Sequence, residues 1–357
     1  MNILLLCTHL NPGGISRYVI TLAGQFQEMG HNVWVGSSGG IWLEELKNKN
    51  IKHKFIPINT KSIVSPKIIF SFFFLLPFLY KNKIQLVHCN TRVTQFLGYL
   101  IYKFLKIPYI STFHGFYRKT FFRRYFKFSG VKTIAISKSV KDHLIKDFNI
   151  GEDKIVLIYN GIDIERFLPK KKDASLYGFS QDDILLGMLG RISQEKGHFL
   201  AVQALKELLT EYPNVYLLIC GWGRLVNDLV DFLDKLGIRE RVRFFYAEAE
   251  EFLDILDILL VPSKKEGFGY TIIEAFAKGV PVVGFNVGGI AEIIRHKQNG
   301  ILFYEYDYKA LKEAIKLLLK EPSLKNKIIK NAKNDLSYFS SERMAQETQK
   351  IYLELIK

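Results

Sequence analysis

The chain has 357 residues, 48% of them hydrophobic, enough for the cores of two domains. Its formal net charge of +15 is uneven: residues 1–170 hold 24 Lys/Arg against 9 Asp/Glu, and the rest hold 26 of each. This excludes a disulfide framework, because the three cysteines, Cys7, Cys89 and Cys220, lie in or beside apolar runs as reduced, buried thiols. It also excludes a bilayer-spanning helix, because the longest apolar run, Ile68 to Tyr80, covers thirteen residues with Ser71 and Pro77 inside it. That run is either a buried helix or a segment that leans on a membrane. Between Lys47 and Lys141 stand 19 basic residues and no acidic one. An anionic membrane surface or a nucleic acid would each explain such an excess.

Residues Asn2 to Cys7 form a first strand, with no basic leader before it that would mark a signal peptide. His9-Leu-Asn-Pro-Gly13-Gly14-Ile-Ser-Arg17 is a glycine-bearing loop, followed by a helix over Tyr18 to Glu28. The two glycines allow a plain turn or close backbone approach to an anion. The dinucleotide fingerprint is absent, because its third glycine and later acidic residue are missing. Strands follow at His31 to Gly36, Lys54 to Ile58, Leu86 to Asn90, Pro108 to Thr112, Thr133 to Ile136 and Lys154 to Tyr159, alternating with helices. Residues 160–183, with Pro169 and a lysine run, are the interdomain connection. The second half repeats the plan, so both sheets are mostly parallel.

Three loops of the second half collect at one sheet edge, each after a strand. The first carries Arg191 and Lys196 between Gly190 and Gly197, which suits a diphosphate or, more plainly, a solvated loop. The second carries Gly221 and Gly223. The third is Pro262-Ser-Lys-Lys-Glu266-Gly-Phe-Gly-Tyr-Thr-Ile-Ile-Glu274, with Ser263 to Tyr270 as loop and Thr271 as helix cap. Carboxylates accept hydrogen bonds only, so Glu266 and Glu274 suit sugar or ribose hydroxyls; a capped helix start with a solvated glutamate is the bland alternative. Together the loops fit a ligand with a diphosphate and hydroxyls at each end, a nucleotide-sugar. In the first half His114 ends a strand, either hydrogen-bonding a sugar or placing a proton, or as a structural histidine. The segment 116–128 interleaves aromatics with cations, which suits an interface-seeking element, a core-facing aromatic helix with a solvated basic side, or stacking on single-stranded nucleic acid.

Glu266 to Glu274, Gly190-Arg191 with Lys196-Gly197, Asn160-Gly161-Ile-Asp163, Val287-Gly288-Gly289 and Pro12-Gly13-Gly14 together resemble the retaining glycosyltransferases of family 4, the glycosyl transferases group 1. The likeness covers nearly the whole chain. It implies an α/β GT-B fold, two Rossmann-like domains facing each other across a deep cleft. Residues 1–165 would form the acceptor domain and 166–340 the nucleotide-sugar domain, with 341–357 a helix crossing back to the first. Arg191 and Lys196 resemble the pair that neutralises the donor diphosphate. Gly14 resembles the glycine whose amide meets the distal phosphate, and Glu274 the residue that binds the ribose. Glu266 resembles the residue that holds donor-sugar hydroxyls, and His114 the histidine at the reacting face. The backbone of Phe268, Gly269, Tyr270 and Thr271 would close over sugar and phosphate.

The resemblance further implies transfer with retention, a UDP-sugar donor, no metal and no other cofactor. Two departures stand out: Phe245-Tyr246-Ala247-Glu248 lacks the family's glycine, and Asn286 replaces a frequent aspartate. The basic first half suggests a glycan or lipid-linked acceptor in cell-envelope polysaccharide synthesis, at the inner face of the membrane, with 116–128 on an anionic surface and no nucleic acid bound. A soluble transferase for a small acceptor, or a non-catalytic sugar-nucleotide or glycan binder, are the competing readings.

Overall fold

The computed structural model describes residues 1–119, 125, 127–170 and 174–356. Contacts divide the chain into two units: residues 1–161 with 339–357, and residues 162–338.

Unit 1 is built on seven parallel strands: β1 (Asn2–Leu6), β2 (Asn32–Ser37), β3 (Lys52–Phe55), β4 (Leu86–Cys89), β5 (Tyr109–Phe113), β6 (Lys132–Ala135) and β7 (Ile155–Leu157). Their order is β3-β2-β1-β4-β5-β6-β7, so the chain reverses its direction of travel across the sheet between β1 and β4. Helices α1 (Gly14–Glu28), α2 (Leu43–Asn48), α3 (Pro66–Lys81), α4 (Arg92–Leu105) and α5 (Lys138–Phe148) link them. Strands β1, β4 and β5 are buried almost throughout, which is why they are continuous apolar runs rather than alternating ones. The third strand lies earlier than the expected Lys54 to Ile58. Ile56 still donates to Ser37 at 2.8 Å, but Pro57 has no N–H with which to extend the ladder.

The helix expected behind the first glycine loop starts earlier too. Gly14 is its first residue, so Arg17 lies in its first turn rather than in the loop. The apolar run becomes α3, with Ser65 capping it by accepting from Lys67 N. Ile68, Ser71, Phe72, Leu75 and Leu79 face the core with Leu97, Leu100 and Ile101 of α4. The opposite face of α3 is exposed. In the segment 116–128, residues 120–124 and 126 lie outside the described residues. Of its flanks, Phe116 packs edge-on to His143 at 5.4 Å, and Phe128 lies against Phe96 at 4.8 Å and Tyr99 at 5.2 Å.

Unit 2 carries six parallel strands: β8 (Ile184–Leu189), β9 (Val215–Cys220), β10 (Val242–Phe245), β11 (Ile258–Val261), β12 (Val282–Phe285) and β13 (Ile301–Phe303). They run in the order β10-β9-β8-β11-β12-β13, with the reversal between β8 and β11. Helices α6 (His198–Leu208), α7 (Val226–Leu236), α8 (Ala249–Leu253), α9 (Tyr270–Lys278), α10 (Gly288–Ile293), α11 (Tyr308–Lys320) and α12 (Pro322–Asn334) complete it. Residues 162–170 belong to this unit and are not a free connection; 171–173 lie outside the described residues. Phe167 is buried, and the Lys278 ammonium donates to Leu168 O at 3.1 Å and to both Asp254 carboxylate oxygens at 2.8 Å. Lys278 and Asp254 are both out of water, so each charge depends on the other.

The last helix, α13 (Ser341–Leu355), is part of unit 1 and packs on α1. Arg343 donates to Tyr159 O at 2.8 Å, and Gln349 meets His31 at 2.8 Å. Deeper in, the Tyr352 hydroxyl lies 2.6 Å from His88 Nδ1, and His88 Nε2 lies 2.6 Å from Thr112 Oγ1. Burial pushes the His88 imidazole down to about 3, so it is neutral, with one ring nitrogen donating and the other accepting. Tyr352→Phe removes one partner of a buried ring nitrogen. It should lower the unfolding free energy by about 1–3 kcal/mol in urea titrations; an unchanged midpoint would show that the His88–Tyr352 hydrogen bond does not hold α13.

Candidate active site

In a parallel sheet every strand delivers its following loop to the same edge, and a crevice opens where the strand order reverses. In unit 2 that places the loops after β8 and β11 side by side, with those after β9 and β12 flanking them. Hydrogen bonds between backbones lace them together. Gly190 N donates to Cys220 O at 2.9 Å and Ile192 N to Trp222 O at 3.1 Å, joining the loops after β8 and β9. Lys264 N donates to Glu195 O at 2.8 Å, joining those after β8 and β11, and Gly289 N donates to Glu266 O at 3.0 Å, bringing in the loop after β12. Two glycines permit this closeness. A Cβ on Gly197, which sits at φ 77°, would overlap Pro262 O, and a Cβ on Gly289 would overlap the backbone of Phe268.

On this lattice Lys196 Nζ lies 2.6 Å from Glu266 Oε2, both side chains partly buried. These two residues, seventy apart in sequence, are brought into direct contact. Arg191 is exposed beside them, without a hydrogen bond or ion pair among the described residues. Glu274 is 7% exposed on the inner face of α9, so its carboxylate is held by the protein rather than by bulk water. Thr271 is not the cap of α9. The helix begins at Tyr270, and Gly269, left-handed at φ 111°, holds the cap position with no side-chain hydrogen bond. The chain turns into the helix through a conformation that glycine takes readily and threonine does not, so no side chain covers the first-turn amides. Phe268 is buried and Gly269 lies beside it.

In unit 1, Gly14 opens α1 behind Gly13, also with no side-chain cap. His114 follows β5 and is partly buried. Its Nε2 lies 3.1 Å from Asn90 Oδ1. The Asn90 amide nitrogen donates to Leu6 O and His88 O, both at 3.3 Å, which fixes the amide so that its oxygen faces the imidazole. Nε2 therefore carries the proton and Nδ1 is left as an acceptor. Burial pushes His114 down to about 3. Tyr18 of α1 packs edge-on to the His114 ring at 4.7 Å, and its hydroxyl lies 3.3 Å from Thr112 Oγ1. A line of contacts thus runs from Tyr352 through His88, Thr112 and Tyr18 to His114. Sequence reasoning missed Asn90, although a polar residue directly after a buried strand was the available signal. It also missed Tyr306, whose hydroxyl donates to Pro262 O at 3.0 Å behind the Glu266 loop. Among the described residues no group of three or more His, Cys, Asp or Glu could hold a metal ion.

Comparison with known proteins agrees with this architecture. Residues 170–335 match the family profile of the glycosyl transferases group 1, and residues 12–166 that of glycosyltransferase family 4. An uncharacterised glycosyltransferase, MJ1607 of Methanocaldococcus jannaschii, is 29% identical over 300 residues, 76% of this chain and 75% of that protein. The Escherichia coli UDP-Gal:alpha-D-GlcNAc-diphosphoundecaprenol alpha-1,3-galactosyltransferase is 22% identical over 336 residues, 88% of this chain and 87% of its own. The crystal structure of Anabaena Alr3699/HepE in complex with UDP-glucose superposes with a TM-score of 0.88 at 22% identity, over 99% of this chain and all of that one. The chain is a glycosyltransferase of the GT-B fold, related to group 1 and family 4.

Two outcomes follow from this geometry. Gly289→Ala should lower the melting temperature by several degrees, because the new methyl displaces the Phe268 backbone; an unchanged melt would mean that the loops are not held this tightly. The pH profile is the second. A histidine whose folded pKa is depressed leaves the unfolded chain binding the extra proton. Its contribution to stability is complete above the ordinary value near 6.5, and is lost as pH falls from there toward 3. Each such histidine adds up to about 1.4 kcal/mol per pH unit within that window. Between pH 7 and 5 the slope in His114→Gln should be shallower than in wild type by about one proton, and equal slopes would place the imidazole in water.

Proposed function

We propose that the protein is a retaining glycosyltransferase that moves a sugar from a UDP-sugar to a glycan or lipid-linked acceptor in cell-envelope polysaccharide synthesis. The observation that carries this reading is the Lys196–Glu266 pair at the mouth of the unit 2 sheet, with exposed Arg191 beside it and the uncapped start of α9 in the same loop. A cation, a second cation free to turn and a helix N-terminus suit a diphosphate. The carboxylates of Glu266 and Glu274 suit hydroxyls of the sugar and the ribose.

In this reading Arg191 and Lys196 neutralise the diphosphate as the bond from the sugar C1 to its phosphate oxygen breaks, so that the nucleoside diphosphate leaves with the electron pair. The acceptor oxygen bonds to C1 on the face being vacated, and its proton passes to a phosphate oxygen of the donor. Gly14 offers its amide to the distal phosphate, and His114 accepts from a sugar hydroxyl through Nδ1. Backbone amides from Phe268 to Thr271 close on sugar and phosphate. The lipid-linked acceptor is supported by the Escherichia coli relative, whose acceptor is diphosphoundecaprenol-linked, and by the basic first half of the chain. No helix among the described residues is long and apolar enough to cross a membrane, and the proposed site of action is the cytoplasmic membrane surface.

The test is a thermal-shift screen with UDP, GDP, ADP and their sugars, followed by kinetics. One nucleotide-sugar should raise the melting temperature of wild type, with a smaller rise in Arg191→Ala. Glu274→Ala should weaken donor binding about ten- to a hundredfold. Lys196→Ala should slow transfer by about two orders of magnitude, mainly in kcat. Unaltered kinetics in both variants would remove these residues from the site.

A further inference from the structure

Helix α3 presents apolar residues on both faces. One face is in the core of unit 1, and the other carries Ile69, Phe70, Phe73 and Phe74, spaced three and four apart, with Tyr80 two turns further on, so that they form one stripe. Phe70 and Phe73 are 62% and 61% exposed, although their counterparts Phe72 and Leu75 are buried. A surface helix normally turns charged residues outward, so a second apolar face calls for a partner. The stripe continues beyond α3: Phe104 at the end of α4 is 63% exposed and packs on Phe72 at 5.6 Å.

Cations border it. Lys54 Nζ lies 4.5 Å from the Phe74 ring centre, Lys103 Nζ lies 5.8 Å from that of Phe104, and Lys67 and Lys81 sit at the two ends of α3. No acidic residue occurs anywhere from Lys47 to Lys141, which covers every element contributing to the patch. We propose that the outer face of α3, extended by Phe104, docks unit 1 on an anionic lipid bilayer. The phenylalanines enter the boundary between headgroups and acyl chains, and the lysines meet the headgroup phosphates. Charge complementarity selects this occupant. A neutral protein surface would cover the phenylalanines but leave a ring of like charges without counter-charge, whereas an anionic leaflet satisfies both. At sixteen residues with Pro77 inside, α3 lies along a membrane rather than across it. The proposal does not rest on the transfer reading, because binding is measured without donor or acceptor.

The experiment is co-sedimentation of the full chain with vesicles of phosphatidylglycerol and phosphatidylcholine, against vesicles of phosphatidylcholine alone, with sedimentation velocity in the absence of lipid. Wild type should pellet with the anionic vesicles and weaken in high salt. Phe70→Ser/Phe73→Ser should lower the partition coefficient at least tenfold while keeping the wild-type circular dichroism melt, since both rings are outside the core. Lys54→Gln should lower it roughly fivefold, and Arg118→Gln/Lys119→Gln should leave it within twofold. Anionic-vesicle binding unaffected by the phenylalanine changes would overturn the proposal. So would a lipid-free dimer that those changes dissolve, since the face would then belong to a second copy of this chain.

Discussion

All thirteen strands among the described residues run parallel to their sheet neighbours, and that single constraint arranges everything else. A parallel strand must return by a crossover, so each strand ends on the same edge and each loop that follows is available to a ligand there. The helices that make the returns cover both faces of each sheet, which explains why strands such as β4 and β5 are buried from end to end. The chemistry is thereby forced into short carboxyl-end loops. In unit 2 those loops are laced by backbone hydrogen bonds and by glycines with no room for a Cβ. The Lys196–Glu266 contact is a consequence of that lacing, since long flexible side chains alone would not hold a salt bridge in one geometry at the edge of solvent.

Features encoded locally were legible in the sequence. Alternating strands and helices gave two parallel sheets, and Gly190-Arg191, Lys196-Gly197 and Glu266 to Glu274 fell into the loops where the topology puts them. Boundaries that depend on backbone conformation were less legible. Thr271 has the chemistry of a cap, but the left-handed turn at Gly269 starts the helix one residue earlier, and Pro57 ends β3 before an apolar run that continues to a buried Ile58. Individual side-chain pairs between distant segments were not legible. His88 and Tyr352 are 264 residues apart, and nothing near either one announces the other. The orientation of α3 was hidden for a different reason: a helix apolar on both faces carries no periodicity that tells core from surface.

The charge asymmetry acquires meaning once exposure is known. The basic excess of the first half is not spread over an ordinary polar surface. Part of it frames aromatic rings that a solvated helix would not expose, as where Lys54 covers Phe74. The exposed rings are unfavourable in water while the lysines beside them are not, a combination that the proposed anionic membrane surface would accommodate.

His114 sits in this cationic half, and its environment limits what it can do. Burial removes water that would stabilise an imidazolium, so the ring is neutral at pH 7. Asn90 Oδ1 accepts from the Nε2–H, and the two carbonyls that hold the Asn90 amide prevent it from turning to offer a donor instead. Nδ1 is then a fixed acceptor, able to orient a hydroxyl but without a proton to give. A transfer reaction built around such a residue has to find its acid elsewhere. In the proposed reaction, with Arg191, Lys196 and an uncapped helix start, the leaving diphosphate would need no acid, because its charge would be met by cations and amides as it develops. The neutral histidine of unit 1 can orient a hydroxyl without donating a proton, and in the proposed reaction the cationic loops of unit 2 would stabilise a leaving group without protonating it.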